Sequence, residues 1–286
     1  MKNGFEGAAL ERLDFEKMHQ KAAESIDDSR IEEEDFRELY GDQVTTDLER
    51  VGRLEKQFAA HGSEESAEMK KVADIFEALV LDCGELNNWF GDNAFTIKTS
   101  RFDDYVNGMD MVLEFRGEEE GSASFLGVAA DVTFTSDTTK KFDRIRDHID
   151  KGELGKVKYF RSEHMNIDGQ LSKLPEVVIG ASKKTVMELA NLWLEKNQEE
   201  LAKHYAQIMV LRQMREQLET FSLYARSVGQ QESADIYSSR IGIIDGILAE
   251  KAQIEREVGW NADSDSVHSE IMSFLKRWKA SLKPHV

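Results

Sequence analysis

The chain of 286 residues has a single cysteine, Cys83, and no long apolar run. One cysteine excludes an internal disulfide framework and a zinc site built from cysteines. No segment approaches the roughly 18–20 consecutive apolar residues that a membrane-spanning helix needs. The amino terminus has no apolar stretch behind its first lysine, unlike a secretory signal. We therefore expect a soluble, cytoplasmic protein without a membrane partner.

Two kinds of binding motif are also missing. Phosphate-binding loops of the GxxxxGK[ST] and GxGxxG kinds do not occur, so nucleotide-binding loops of those kinds are excluded. The seven histidines show no metal-ligand spacing. The sequence therefore predicts neither a histidine-based metal site nor a catalytic triad.

Acidic residues outnumber basic ones, 55 to 37, so the net charge is −18. An acidic surface repels nucleic acid, which argues at first against such a partner. The charge is unevenly distributed, however. Residues 1–70 hold nineteen acidic and ten basic residues, whereas residues 139–161 hold eight basic and four acidic ones. A local basic patch on an acidic protein can still bind phosphate.

Hydrophobic periodicity divides the chain into three regions. Residues 1–70 are charged and helix-prone, and we interpret them as loosely packed helices that lead into a core; the run IEEEDF reads as solvated helix surface. Residues 71–182 contain both helical and β-prone patterns, as an α/β core does. Residues 183–286 are almost purely helical, with leucine and isoleucine stripes that predict a helical hairpin or short coiled coil, through which a homodimer can form.

Within the central region, the pattern predicts a mixed sheet between residues 94 and 181. A helix over 71–90 precedes a short β-prone run at 94–100. A turn at Asn107-Gly108 then opens a predicted hairpin of residues 109–115 and 125–135. An amphipathic helix (TTKKFDRIRDHIDKGEL) and two further β-prone runs, at 157–160 and 175–181, complete the region.

Two aspartates stand out on the predicted hairpin, Asp110 and Asp131. Adjacent strands lie about 4.8 Å apart, so carboxylates on one face of a sheet can share a cation. Mg²⁺ prefers oxygen ligands and can polarise a phosphodiester. A carboxylate embedded in a buried strand is costly unless it is paired, and Asp131 lies in LGVAADVTFT. Each aspartate also has a structural interpretation: Asp131 bonded to backbone or to an arginine, Asp110 closing the Asn-Gly turn.

The order of these features resembles the PD-(D/E)XK nuclease superfamily, over about 110 residues. The stretches FEALV, NGMDMVLEF, GVAADVTFT and KKFDRIRDHI carry the resemblance. It implies a restriction-endonuclease-like core of a helix, three strands, a helix and a further strand. It also implies that Mg²⁺ or Mn²⁺ is bound by Glu77, Asp110 and Asp131. The resemblance further implies phosphate binding by basic residues that open the second helix, namely Lys140, Lys141, Arg144 and Arg146.

The chain departs from the family pattern at Thr133, where the family has a lysine that positions the attacking water. Lys98 on the preceding strand or Lys140 at the helix start can replace it. Two other positions remain open: Glu85 is a poorer alternative to Glu77, and Asp104 can replace Asp110 if the strand begins earlier. Otherwise Asp103 and Asp104 read as loop or turn residues.

These observations lead to two hypotheses. The first is a metal-dependent nuclease that hydrolyses phosphodiesters, with DNA favoured over RNA as the substrate. The second is a catalytically inactive nuclease-like scaffold that acts as a binding or oligomerisation protein through its C-terminal helices.

Overall fold

The computed structural model describes residues 2–61, 63–117, 122–131 and 136–282. Six strands, β1–β6, lie at Ala94–Lys98, Met111–Arg116, Ala123–Asp131, Gly155–Ser162, Ile167–Leu174 and Glu176–Gly180. The helices, α1–α11, lie at Lys2–Ser29, Arg37–Tyr40, Gln43–His61, Glu64–Leu86, Ser136–Lys151, Lys183–Leu194, Gln198–Lys203, Ala206–Ser227, Gln231–Glu250, Ala252–Val258 and Ser266–Ser281. In this described part of the chain, no helix is both long and apolar enough to cross a membrane.

The centre of the fold is a four-stranded mixed sheet in the order β1-β2-β3-β6. β2 runs antiparallel to β1 and to β3, and β6 pairs with β3 in parallel. Helices flank this sheet, so the predicted mixed α and β architecture is confirmed. The predicted hairpin forms as β2 and β3, with Leu113 opposite Leu126; residues 132–135 lie outside the described part.

The two faces of the sheet are covered differently. Met111, Leu113 and Phe115 point into the main hydrophobic core, and Val112 points to the other face, as the period of two requires. On the first face, α4 packs on β1. The side chain of Ser63 caps the N-terminus of this helix. A Cβ atom at Gly84 would lie 2.5 Å from Thr96 Cγ2, so α4 needs a glycine at this crossing.

The second face is covered by β4 and β5, which form a separate two-stranded sheet. Val157, Phe160 and Leu174 of this sheet pack against Met109 and Val112. The expected run at 157–160 is therefore a strand, but it does not join the central sheet. The sequence does not predict β5, because half of the residues in IDGQLSKL are polar and half are exposed.

The terminal regions share the main core. Met18, Ala22 and Ile26 of α1 are buried in it, so the prediction of loosely packed N-terminal helices was wrong for α1. Glu33 in the IEEEDF run is also buried and accepts a hydrogen bond from the Phe102 amide at 2.7 Å. That residue is therefore not solvated helix surface, and its carboxylate ties the N-terminal region to the centre.

The C-terminal helices include the predicted hairpin, formed by α8 and α9. The apolar stripes of this region are buried within the chain's own core, as Leu189, Leu211 and Leu218 illustrate. These side chains are therefore not available to a second copy of the chain, and dimerisation through these helices stays a prediction.

Candidate active site

A cavity of about 440 Å³ opens at the end of the sheet where β1 and β3 finish and β2 begins. We call it the strand-end cavity. Its acidic lining residues are Asp27, Glu55, Asp74, Glu77, Asp104 and Asp110. Its basic lining residues are Arg30, Lys70, Arg101 and Lys141. Charges of both signs therefore meet here.

Lys98, the last residue of β1, lies at the base of this charge cluster. Its side chain is fully buried, and its Nζ atom lies 2.6 Å from Glu77 Oε1 and 3.2 Å from Asp104 Oδ2. The ammonium also donates to the carbonyl of Asp110 at 3.0 Å. Burial works against the charged form, but the two carboxylates outweigh it, and the pKa of Lys98 is raised. Lys98 therefore stays charged at neutral pH.

Glu77 projects from α4 into the same cavity. Burial, together with the negative charges of Asp110 and Asp104, raises the pKa of Glu77 to about 8, and the positive charge of Lys98 opposes this shift. Glu77 Oε1 is buried and contacts the Lys98 ammonium, but no group donates a well-oriented hydrogen bond to it. An acid with this pKa changes its protonation state readily near neutral pH.

Asp110 precedes β2 and reaches across to the end of β3. Its Oδ2 atom accepts a hydrogen bond from the Ala130 amide at 2.6 Å, and its own amide donates to Val128 O at 3.1 Å. Burial raises the pKa of Asp110, Asp104 adds to this effect, and Lys141 and Lys98 oppose it. The antiparallel pairing thus holds this carboxylate beside Glu77 and Lys98 in one cavity.

The second predicted strand aspartate, Asp131, is the last residue of β3. Its backbone pairs with Gly180 of β6, but its side chain lies outside the described part of the structure, as does Thr133. The position of the Asp131 carboxylate relative to Glu77 and Asp110 therefore stays a prediction.

The four basic residues of α5 have different environments. Lys140 is exposed. Lys141 lines the cavity and donates to Ala130 O at 2.8 Å. Arg144 instead donates to Gly108 O at 2.9 Å and pairs with Glu176 at 3.3 Å. Arg146 is paired with Asp143 at 3.0 Å. The structure therefore brings only Lys141 of this group to the cavity.

Asp103 and Asp104 are neighbours with separate environments. Residues 103–107 form one π-helical turn, not a loop. Asp104 lines the cavity, whereas Asp103 is buried beneath it. The Asp103 carboxylate accepts hydrogen bonds from the amides of Lys158 and Tyr159, at 2.7 and 3.0 Å. Asp103 thus anchors β4, and Asp104 adds a carboxylate to the site.

Glu85, the alternative helix acid, lies outside the cavity. Its carboxylate accepts hydrogen bonds from the amide of Thr96 and from the Thr96 hydroxyl, the latter at 2.8 Å. Glu85 therefore fixes α4 to β1, and among the two helix acids only Glu77 reaches the cavity.

Sequence reasoning missed one charged residue of the cavity in particular, Arg30. It follows α1 directly, and its backbone forms an isolated parallel bridge with Lys98. No motif marks an arginine so far from the central region. Only the packing of α1 on the core brings it to the cavity.

The carboxylates fit a hard divalent cation. In the described part of the chain, no three His, Cys, Asp or Glu side chains group together as a metal site. Mg²⁺, however, is commonly held by one or two carboxylates plus water molecules. Glu77 and Asp110 face one cavity, and the buried Glu77 Oε1 lacks a well-oriented donor. Glu77 and Asp110 would be the protein ligands of such an ion.

A larger groove of about 930 Å³ lies elsewhere, between α1, α4 and α6. Four of its charged residues form two ion pairs: Lys71 lies 2.7 Å from Glu16, and Lys183 is paired with Glu68. These side chains are largely exposed, so ordinary surface ion pairs account for them. We therefore assign the candidate chemistry to the strand-end cavity.

Comparison with known proteins adds no relative. No protein family, no curated protein and no solved structure matches this chain.

Proposed function

We propose that the protein is a metal-dependent nuclease of the PD-(D/E)XK type, which hydrolyses phosphodiester bonds of DNA or RNA in the strand-end cavity. The order α4, β1, β2, β3, α5, β6 supports this proposal, since it is the order of a restriction-endonuclease-like core, with β4 and β5 as an additional hairpin between α5 and β6. The mixed sheet supports it too, because β2 is antiparallel to both of its neighbours and β6 returns parallel to β3.

The convergence of Glu77, Lys98 and Asp110 is the observation on which the proposal depends. These residues come from a helix, a strand and a strand start that lie up to 33 positions apart. Glu77 and Asp110 nevertheless line one cavity, and the buried Lys98 ammonium contacts both of these residues. Burying several ionisable groups together costs stability, and groups with strongly raised pKa values cluster at functional sites. A purely structural core has no need of this arrangement.

The roles follow from the geometry. Glu77 and Asp110 would hold Mg²⁺ or Mn²⁺, with Asp131 as the further ligand that the resemblance implies. A bound divalent ion supplies Lewis-acid polarisation of the phosphodiester and a bound water with a lowered pKa. Lys98 takes the role of the lysine that the family has at the position of Thr133. Its buried ammonium stabilises the negative charge that develops on the phosphodiester beside the carboxylates of Glu77 and Asp110. Lys141, with Lys140 nearby, orients the phosphate backbone.

The direct test is cleavage of labelled single- and double-stranded DNA and RNA with Mg²⁺ or Mn²⁺. We expect Asp110→Asn, Asp131→Ala and Lys98→Met each to lower the cleavage rate at least about 100-fold, as losses of transition-state stabilisation of this kind do. Glu85→Gln is the matched control, because it changes an acid on the same helix outside the cavity. Cleavage by all three variants at the parent rate would refute the proposal.

A specific observation favours the alternative, an inactive nuclease-like scaffold. The Lys98 ammonium is already paired with Glu77 and Asp104, and Arg144 and Arg146 are engaged in internal contacts. Titration calorimetry with Mn²⁺ separates the two functions. A nuclease should bind the ion at a site that Glu77→Gln weakens, whereas a scaffold should show no such site.

A further inference from the structure

Arg30 has unused hydrogen-bond donors inside the strand-end cavity. Its side chain is 11% exposed, and its Nε and Nη1 atoms are buried without an acceptor in the protein. The nearest carboxylate oxygen, Asp104 Oδ2, lies 3.7 Å from Nη1, too far for a hydrogen bond. Buried donors are almost always satisfied. A guanidinium with free donors in a cavity therefore suits an oxyanion ligand such as a phosphate.

One aromatic ring lines the same cavity, and a second ring lies beside the first. Tyr105 on the π-helical turn lines it, and Phe58 of α3 lies beside Tyr105 with 6.1 Å between ring centroids and 32° between ring planes. Phe58 is 62% exposed. Lys70 lies 6.0 Å from the centre of the Tyr105 ring. Aromatic rings next to cationic side chains are the usual platform on which unpaired nucleobases stack.

The size of the cavity limits what can enter it. About 440 Å³ is in the range of pockets that enclose one small ligand. A stacked, paired base within a duplex cannot reach such a pocket unless it is extruded, whereas a single strand can present its bases freely. The net charge of −18 also disfavours binding to many phosphates along a duplex.

We propose that the strand-end cavity binds one nucleotide of a single-stranded nucleic acid, with its phosphodiester on Arg30 and its base against Tyr105 and Phe58. This inference rests on the proposed function and names its substrate class. Arg30 and Phe58 belong to the N-terminal region, so the nuclease-like core alone would lack this specificity.

The test is fluorescence anisotropy of the full chain with a labelled phosphorothioate oligothymidine, which resists hydrolysis, in millimolar Mn²⁺. Arg30→Met removes the donors and keeps the length of the side chain. We expect it to raise Kd roughly 10- to 100-fold, the effect of losing hydrogen bonds to a charged group. Phe58→Ala should raise Kd roughly 5- to 100-fold through lost base stacking. The same strand paired with its complement should bind at least about tenfold more weakly to the parent.

Two controls match these variants: Arg53→Met on α3 and Trp260→Ala at another exposed ring should keep the parent affinity. Because the Phe58 side chain is exposed, Phe58→Ala tests the site even if Arg30→Met disturbs folding. Parent-like affinity in both Arg30→Met and Phe58→Ala, or duplex binding as tight as single-strand binding, would overturn the inference. Arg30- and Phe58-dependent binding without any cleavage would refute the nuclease alone. Cleavage that both variants leave unchanged would refute the nucleotide site alone.

Discussion

Two buried polar regions of this protein border the same sheet but differ in how their groups are satisfied. At the outer edge of β6, Gln213 and Gln217 of α8 act like an additional strand. Gln213 accepts from the Gly180 amide at 2.7 Å and donates to the Gly180 carbonyl at 2.8 Å. Gln217 makes the same pair of bonds with Val178, at 2.8 and 2.7 Å. We call these four residues the glutamine seam.

The strand-end cavity is the opposite case. Its polar groups are charged, several carry raised pKa values, and Glu77 Oε1 and two Arg30 nitrogens lack hydrogen-bond partners. The glutamine seam is neutral and its amides are paired in both directions. A satisfied neutral network protects a sheet edge and stabilises the fold. A cluster of imperfectly satisfied charges lowers stability, and such clusters are retained where they bind or react.

The largest expected effect is at the glutamine seam. Gln213→Leu leaves the amide and carbonyl of Gly180 buried and unpaired, so we expect the free energy of unfolding to fall by about 3 kcal/mol. Denaturant unfolding measures this change. Gln253→Leu on an exposed face of α10 should change stability by less than about 0.5 kcal/mol. If Gln213→Leu were as stable as this control, the glutamines of the seam would contribute no more to stability than surface residues do.

A second prediction contrasts two aspartates. Asp103 has donors on both of its carboxylate oxygens, so Asp103→Asn places an amide NH₂ against other donors and should cost about 2 kcal/mol. Asp110 lies among like charges, and asparagine can keep the bond from Ala130. At pH 8 we therefore expect Asp110→Asn to stabilise the fold by about 1 kcal/mol. Unfolding curves of both variants test this difference. If Asp110→Asn lowered the free energy of unfolding as much as Asp103→Asn does, the prediction would be contradicted.

The third prediction concerns pH. The carboxyl of Glu77 has an ordinary pKa of 4.5 when unfolded and about 8 when folded. Between these values the folded state holds the proton more tightly, so stability should fall as pH rises from about 4.5 to about 8, by at most about 1.4 kcal/mol per pH unit. Glu77→Gln should flatten this dependence. Thermal melting across the window measures it, and identical slopes for parent and variant would count against a perturbed Glu77.

The site residues that the sequence predicts correctly share one property. They lie near apolar patterns that indicate their secondary structure. Glu77 lies on a helix with clear apolar periodicity, and Lys98 and Asp110 flank the turn that opens the hairpin. Arg30 and Tyr105 carry no such signal, because their positions depend on how α1 packs and on a π-helical turn. Likewise, the contact of Arg144 with Glu176 joins α5 to β6, which no local pattern specifies.

Local periodicity and turn residues specify the helices and the central hairpin, and the order of the acids can be read directly from the sequence. The burial of Lys98 between Glu77 and Asp104, the separate environments of Asp103 and Asp104, and the entry of Arg30 into the cavity depend on the three-dimensional fold. They do so because the desolvation and pairing of charges depend on long-range packing, which brings together residues that are remote in sequence.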